Sequence, residues 1–191
     1  MKKIIIGTII STFAVLSITG CGVQINTEDD NKNNPDKSGT YSLDYVIDGD
    51  TVVFKGLKRS IRLVGIDTPE SKASIKMLNA AKQCTDGNVS AMKLLGHKAS
   101  DYTKSLIFKD SLYELKHIDT GKYQRIVGDI VVKNKSLSLQ IVEAGYATVY
   151  PGYSKISPAL KDIIQDAYLT ARSKGKGLWG EYPKIMECLN P

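Results

Sequence analysis

The sequence predicts an α+β fold, mainly β: a small five-stranded barrel, closed or partly open, with about three helices. Two observations lead to it. Five short runs rich in β-branched residues are separated by Asp-Gly, Lys-Gly and Thr-Gly turn signals. Three longer stretches carry apolar residues at helical spacing, two of them with recognisable caps.

The strands are expected at Ser42–Ile47, Thr51–Phe54, Ser60–Val64, Leu112–Ile118 and Ile126–Val132. Asp48-Gly49-Asp50 joins the first two, and Asp119-Thr120-Gly121-Lys122 joins the last two. Five strands with such turns suit a small barrel. A helix is expected from about Asn88 to Phe108, because Met92, Leu95, Ala99, Tyr102 and Leu106 fall on one face. Gly96 lies inside it and predicts a start or break there, since glycine costs about 1 kcal/mol relative to alanine. A second helix is expected over Ser136–Ala144, ended by Gly145. For the third, Ser157 caps and Pro158 takes the first helical position. Leu160, Ile163, Ile164, Ala167 and Ala171 then face inward, and Lys174-Gly175 closes it. Leu178-Trp179 is expected to pack back onto the core.

The N-terminus has a different character. Lys2-Lys3 precedes an apolar run from Ile4 to Ile18 and then Thr19-Gly20-Cys21, the parts of an export signal. The run is short for a permanent membrane span, which needs about 20 residues. Leu16-Ser17-Ile18-Thr19-Gly20-Cys21 resembles a bacterial lipobox. That resemblance implies cleavage before Cys21, fatty acyl chains such as palmitate on the cysteine, and a protein lipid-anchored to a membrane of the bacterial cell envelope. The bland alternative is an ordinary signal peptide with an incidental cysteine. Residues 22–40 hold one Ile, one Val and no aromatic residue, and so read as a flexible tether. The expected organisation is thus a signal at 1–20, lipidated cysteine and tether at 21–40, a folded domain at 41–182 and a tail at 183–191.

Of 191 residues, 42% are hydrophobic and 24% charged, an ordinary globular balance. Without Lys2 and Lys3, 24 basic residues face 20 acidic ones, a surplus compatible with a polyanionic partner but too small to demand one. Three cysteines are present; with Cys21 assigned to lipid, Cys84 and Cys188 form an even pair in an exported chain. No CxxC or histidine cluster has the spacing of a zinc site, and His97 and His117 read as structural or exposed.

Asp50, Asp67 and Glu70 are carboxylates beside turns in otherwise apolar sequence, an oxygen-rich set suited to Ca²⁺ or Mg²⁺. Asp48-Gly49 alone is read as a turn. Arg62 lies five residues before Asp67, so simple strand alternation puts the two on opposite faces. A bend or bulge near Gly65 reconciles them.

The strings Ile47-Asp48-Gly49-Asp50-Thr51, Ile61-Arg62-Leu63-Val64-Gly65-Ile66-Asp67-Thr68-Pro69-Glu70 and Lys122-Tyr123-Gln124-Arg125 resemble the staphylococcal nuclease (thermonuclease) family. Gly145-Tyr146-Ala147 and Gly177-Leu178-Trp179 continue the match in order. The resemblance implies an OB-fold and a Ca²⁺-dependent endonuclease, a hydrolase that cuts DNA and RNA with little sequence preference and leaves 3′-phosphates. Carried over by position, Asp50, Asp67 and the Thr68 carbonyl would bind the metal. Glu70 would orient or deprotonate the attacking water, while Arg62 and Arg125 would grip the scissile phosphate. Lys122 and Tyr123 would contact a terminal phosphate, and Tyr150 and Tyr153 would lie against the base, unless both tyrosines are ordinary surface packing.

The chain departs from that pattern in three places. Gln124 stands where the family commonly has glycine. The segment from Glu70 to Gly96 is longer than in compact members and holds Cys84, and a tail beyond Trp179 holds Cys188. A disulfide tying the tail to the insertion is one reading; two free thiols are the other. The rival functions are a non-catalytic OB-fold module that binds nucleic acid, and a lipoprotein serving as an interaction platform on the envelope. A monomer is the default expectation.

Overall fold

In the computed structural model, residues 38–150, 152 and 155–190 are described. The signal, Cys21, most of the tether and Tyr153 lie outside them. The chain runs β1 (Gly39–Asp48), β2 (Thr51–Phe54), β3 (Ile61–Leu63), β4 (Ile66–Asp67), α1 (Ile75–Cys84), α2 (Val89–Leu106), β5 (Leu112–Thr120), β6 (Ile126–Val132), β7 (Lys135–Ser136), α3 (Leu137–Glu143), β8 (Thr148–Val149), α4 (Pro158–Ser173), α5 (Leu178–Glu181) and α6 (Pro183–Leu189). A single 3₁₀ turn over Lys122–Gln124 precedes β6.

Five strands in the order β3-β2-β1-β5-β6 close into a barrel through a parallel β3–β6 pairing. The fold is that of the predicted OB-type barrel. Closure removes the free sheet edges that an open five-stranded sheet would expose. The first strand begins at Gly39, so Gly39 and Thr40, on the tether side of the expected boundary, pair with Leu115 and Glu114 of β5.

Inward side chains of the strands (Leu43, Val52, Phe54, Ile61, Leu63, Leu115, Ile130) meet Leu95 and Ala99 of α2, Ile141 of α3 and Ile164 of α4 in one core. Ser157 caps α4 as expected, accepting from Leu160 N–H, and Asn88 and Ser136 accept in the same way from Ala91 N–H and Leu139 N–H at the starts of α2 and α3. Ile163 is a correction, being half exposed. Leu160, Ile164, Ala167 and Ala171 make the inward stripe of α4, and Ile163 sits at its margin. Leu178 and Trp179 are buried, with Trp179 edge-on to Tyr168 at 5.5 Å between centroids.

Gly96 is a second correction. Helix α2 runs through it without a break. A Cβ built there would lie 2.0 Å from the Glu70 carbonyl oxygen and 2.2 Å from its carbon. Glycine at this position lets the helix touch the backbone of the segment after β4, and packing overrides helix propensity.

The helix count exceeds the expected three because Leu178-Trp179 lie on the short α5 and the two appendages are themselves helical. The insertion forms α1, capped by Ser74, whose hydroxyl accepts from Met77 N–H. Met77 and Ala81 of α1 bury against Met92 of α2 in a satellite cluster, joined by Ile185 and Leu189 of α6. A disulfide joins Cys84, the last residue of α1, to Cys188 of α6, with 5.6 Å between Cα atoms. The tail and the insertion therefore form one structural unit.

Candidate active site

Three backbone features bring the acidic and basic residues together. The tight β1–β2 turn places Asp50 directly before Thr51, whose register partner on β3 is Arg62. The chain bends at Gly65, which has φ +75°, between the end of β3 and the start of β4. That bend resolves the face conflict: Arg62 Nη2 donates to the Ile66 carbonyl at 3.2 Å and also reaches Asp67 Oδ1. Finally, the parallel β3–β6 pairing aligns Ile61 with Ile126, and Ile126 N–H donates to Ser60 O at 3.1 Å, which lays Arg125 alongside Ser60.

The result is a cleft of about 400 Å³ lined by Asp50, Arg62, Asp67, Glu70, Arg125 and Tyr150, among others. Arg62 is buried and forms ion pairs with both Asp50 Oδ1 and Asp67 Oδ1. Such a charge cannot be left in the interior unpaired, so the guanidinium and the two carboxylates stabilise one another's burial. Asp50 is saturated. Its Oδ1 also accepts from Thr51 Oγ1 at 2.9 Å, and its Oδ2 accepts from Thr68 N–H at 2.8 Å and Thr68 Oγ1 at 3.0 Å. Four donors match the roughly four lone-pair sites of a carboxylate.

Arg125 contrasts with Arg62. Its Nε–H is buried and has no hydrogen-bond partner among the described residues. A buried guanidinium donor facing a cleft without an acceptor is a place for an anion. Gln124, just before it, adopts φ +57°, the left-handed conformation that glycine reaches without strain. Its side-chain oxygen accepts from Arg59 Nη2 at 3.0 Å. The backbone thus takes the glycine-like path despite the substitution.

Asp48, read from sequence as a turn residue, does more. It is buried and accepts from Gly49 N–H, Ser71 N–H and Ser100 Oγ, at 3.0 to 3.2 Å. It ties the turn that carries Asp50 to α2 and to the segment that carries Glu70.

One residue that sequence reasoning missed stands in the cleft. Lys76, from the first turn of α1, places Nζ 2.8 Å from Asp67 Oδ1 and 3.0 Å from Glu70 Oε1. Nothing in its local sequence marks it, because its partners lie on the preceding segment and only the insertion helix brings it back.

Of the other expected residues, Lys122 is exposed in the 3₁₀ turn and Tyr150 is partly exposed at the cleft. His97 is exposed, and His117 is half-buried on β5.

No three His, Cys, Asp or Glu side chains converge on one point among the described residues. Two carboxylates do: Asp50 and Asp67 both face the Arg62 guanidinium, so a cation already spans the space between them. Hard carboxylate oxygens of this kind suit a divalent cation, which Asp50 and Asp67 would hold as an open site. It does not form a closed protein cage.

A cleft on a closed five-stranded barrel that gathers Asp48, Asp50, Asp67 and Glu70 with Arg62, Lys76 and Arg125, and leaves one guanidinium donor unpartnered, is the kind of mixed-charge site that receives a phosphate ester. Residues 60–181 match the staphylococcal nuclease homologue family, and the chain belongs to it. It is 25% identical to the thermonuclease of Staphylococcus hyicus over 94% of this chain and 99% of that protein. It is 23% identical to the thermonuclease of Staphylococcus intermedius over the same shares. It is also 31% identical to an uncharacterised lipoprotein of Mycoplasma pneumoniae, over 50% of this chain and 31% of that relative.

Proposed function

We propose that this protein is an exported Ca²⁺-dependent nuclease that hydrolyses phosphodiester bonds of DNA and RNA with little sequence preference, leaving 3′-phosphates. The observation that carries the reading is the convergence of Arg62, Arg125, Asp50, Asp67 and Glu70 on one open cleft. Family membership and the two thermonuclease relatives support it.

Asp50 and Asp67, with the Thr68 carbonyl, would hold the metal. When bound, the divalent ion neutralises charge building on the phosphate oxygens. Because Asp50 accepts four hydrogen bonds already, a ligand role requires Arg62 to let go of it. An Arg62 turned away from its carboxylates would be free to grip the phosphate. Arg125 supplies the second planar donor pair. Two guanidiniums aimed at the equatorial oxygens stabilise the pentacoordinate transition state more than the substrate. Glu70, half-buried at the cleft, orients the attacking water and takes its proton as the water oxygen bonds to phosphorus; the P–O5′ bond breaks and the 5′-oxygen takes a proton from solvent water. Lys122 and Tyr123 contact a terminal phosphate. Tyr150 and Tyr153 stack on a base, which every base permits and which suits an indiscriminate enzyme.

Export and anchoring rest on Leu16–Cys21 and on the lipoprotein name of the Mycoplasma relative. Lipid on Cys21 would hold the barrel near a membrane surface. Cys21→Ala should move the protein from the membrane fraction to the soluble one; retention in the membrane would contradict the anchor.

The deciding experiment incubates the protein with plasmid, single-stranded DNA and RNA, with Ca²⁺ and with chelator. Degradation of all three only with Ca²⁺ is expected. Binding without cleavage would favour a non-catalytic module instead.

A further inference from the structure

The insertion after Glu70 does not hang loose over the cleft. Ser74 caps α1, Met77 and Ala81 are buried beneath it, and Cys84 is bonded to Cys188. A helix fixed at both ends in this way delivers one polar side chain to the cleft, that of Lys76. Its ammonium bridges two carboxylates at once, Asp67 at 2.8 Å and Glu70 at 3.0 Å. Asp67 Oδ1 thereby holds two cations, Arg62 from below and Lys76 from solvent. The Lys76 side chain is 51% exposed, so it can swing away into water without losing a buried contact.

We propose that Lys76 is the resident counter-cation of the cleft: it satisfies Asp67 and Glu70 until a divalent ion binds, and must leave for that ion to enter. This rests on the reading of Asp50 and Asp67 as metal carboxylates and adds the residue that sets their affinity. A hard divalent ion and an ammonium compete for the same oxygen of Asp67. Lys76 also neutralises Glu70, the carboxylate proposed to handle the water, so its departure frees both groups together. Arg62 turns from Asp50 within the buried floor of the cleft, whereas Lys76, half exposed, is the cation that can leave the cleft altogether. The insertion thus tunes at which calcium level the cleft assembles.

The magnitude follows from charge. A unit positive charge about 4 Å from a divalent ion, screened at close to the dielectric of water, weakens binding by up to roughly thirty-fold. Movement of an exposed side chain lowers that figure, so removal should tighten binding by about five- to thirty-fold.

Calorimetric titration with CaCl₂, without nucleic acid, tests this. Lys76→Met should bind Ca²⁺ about five- to thirty-fold more tightly than the unsubstituted protein, while Lys76→Arg should stay within about threefold of it. Lys133→Met is the charge control. Lys133 follows the far end of β6, a seven-residue strand from the Arg125 end, about 20 Å away, and its loss should change affinity less than twofold. Equal affinity for the unsubstituted protein and Lys76→Met would overturn the inference alone. Absence of Ca²⁺ uptake by every variant would overturn the metal reading and the inference with it. An equal gain in Lys133→Met would make the effect one of net charge and also overturn the inference.

Discussion

Replacing Gly96 with alanine adds one methyl group where α2 touches the backbone of Glu70. The new Cβ would lie 2.0 Å from the Glu70 carbonyl oxygen and 2.5 Å from the Ser71 nitrogen. Carbon–oxygen contacts in proteins settle near 3.3 Å, so helix and segment must part by about 1.3 Å. Two effects oppose each other in stability. Alanine gains about 1 kcal/mol of helix propensity, and the forced overlap costs about 1–3 kcal/mol. The net effect is a loss of up to roughly 2 kcal/mol, seen as a fall in Tm of no more than about 8 °C. The effect on activity is larger. Glu70 must stand within hydrogen-bonding reach of the attacking water, and a displacement of about 1 Å at such a group costs on the order of 10²-fold in rate. The assay is initial-rate cleavage of single-stranded DNA under Ca²⁺, alongside a thermal melt. Normal turnover with a raised Tm would refute the packing argument. A lowered Tm with normal turnover would leave the contact in place but remove Glu70 from the chemistry.

Three further outcomes are expected. Arg125→Lys and Arg62→Lys should each lower turnover on the order of 10²-fold, because an ammonium cannot reproduce the planar donor pair; near-normal kcat in either would refute the assigned role. Substituting both Cys84 and Cys188 with serine opens a loop with a sequence separation of 104 and should cost about 2–5 kcal/mol, read as a lower denaturant midpoint; an unchanged midpoint would contradict the tie between α1 and α6. Asp129 on β6 is buried, and burial raises its carboxyl above the ordinary carboxylate range, although Ser136 Oγ donates to it at 2.7 Å. An acid whose folded pKa is raised favours folding below its unfolded pKa and loses that contribution as pH rises through the folded value. Asp129→Asn should therefore stabilise the protein at neutral pH, with the advantage shrinking as pH falls toward 4; an advantage that grows on acidification would reverse the sign and the cause.

Much of the barrel was legible because its signals are local. The bounds of β2 and β6 follow from β-branched runs between turn residues, and Ser157 caps the helix it was expected to cap. Sequence failed where the decisive partner is distant. Gly96 reads as a breaker until Glu70 is seen against it. Asp48 reads as a turn until Ser71 and Ser100 close on it. The sequence reading assigns no element to the start of the insertion, since α1 buries only Met77 and Ala81 and leaves Ile75 and Leu78 exposed, too sparse a stripe for periodicity to detect. Lys76 was invisible for the same reason: its meaning depends on where α1 lies.

For the candidate site, residue types and order pointed to the chemistry, but the shared geometry did not follow from periodicity. Arg62 and Asp67 meet only because the backbone turns at Gly65 into positive φ. The left-handed conformation at Gln124 likewise belongs to the fold rather than to the residue, and a glutamine there accepts from Arg59 while Arg125 lines the cleft.

The most direct test of the account follows cleavage of a 5′-labelled DNA strand by the unsubstituted protein with Ca²⁺, by the same protein with chelator, and by Glu70→Gln with Ca²⁺, with analysis of the product ends. The account predicts 3′-phosphate products in the first reaction, none in the second, and a rate lower by about two orders of magnitude or more in the third. Intact strand in the first reaction, or undiminished cleavage by Glu70→Gln, would contradict it.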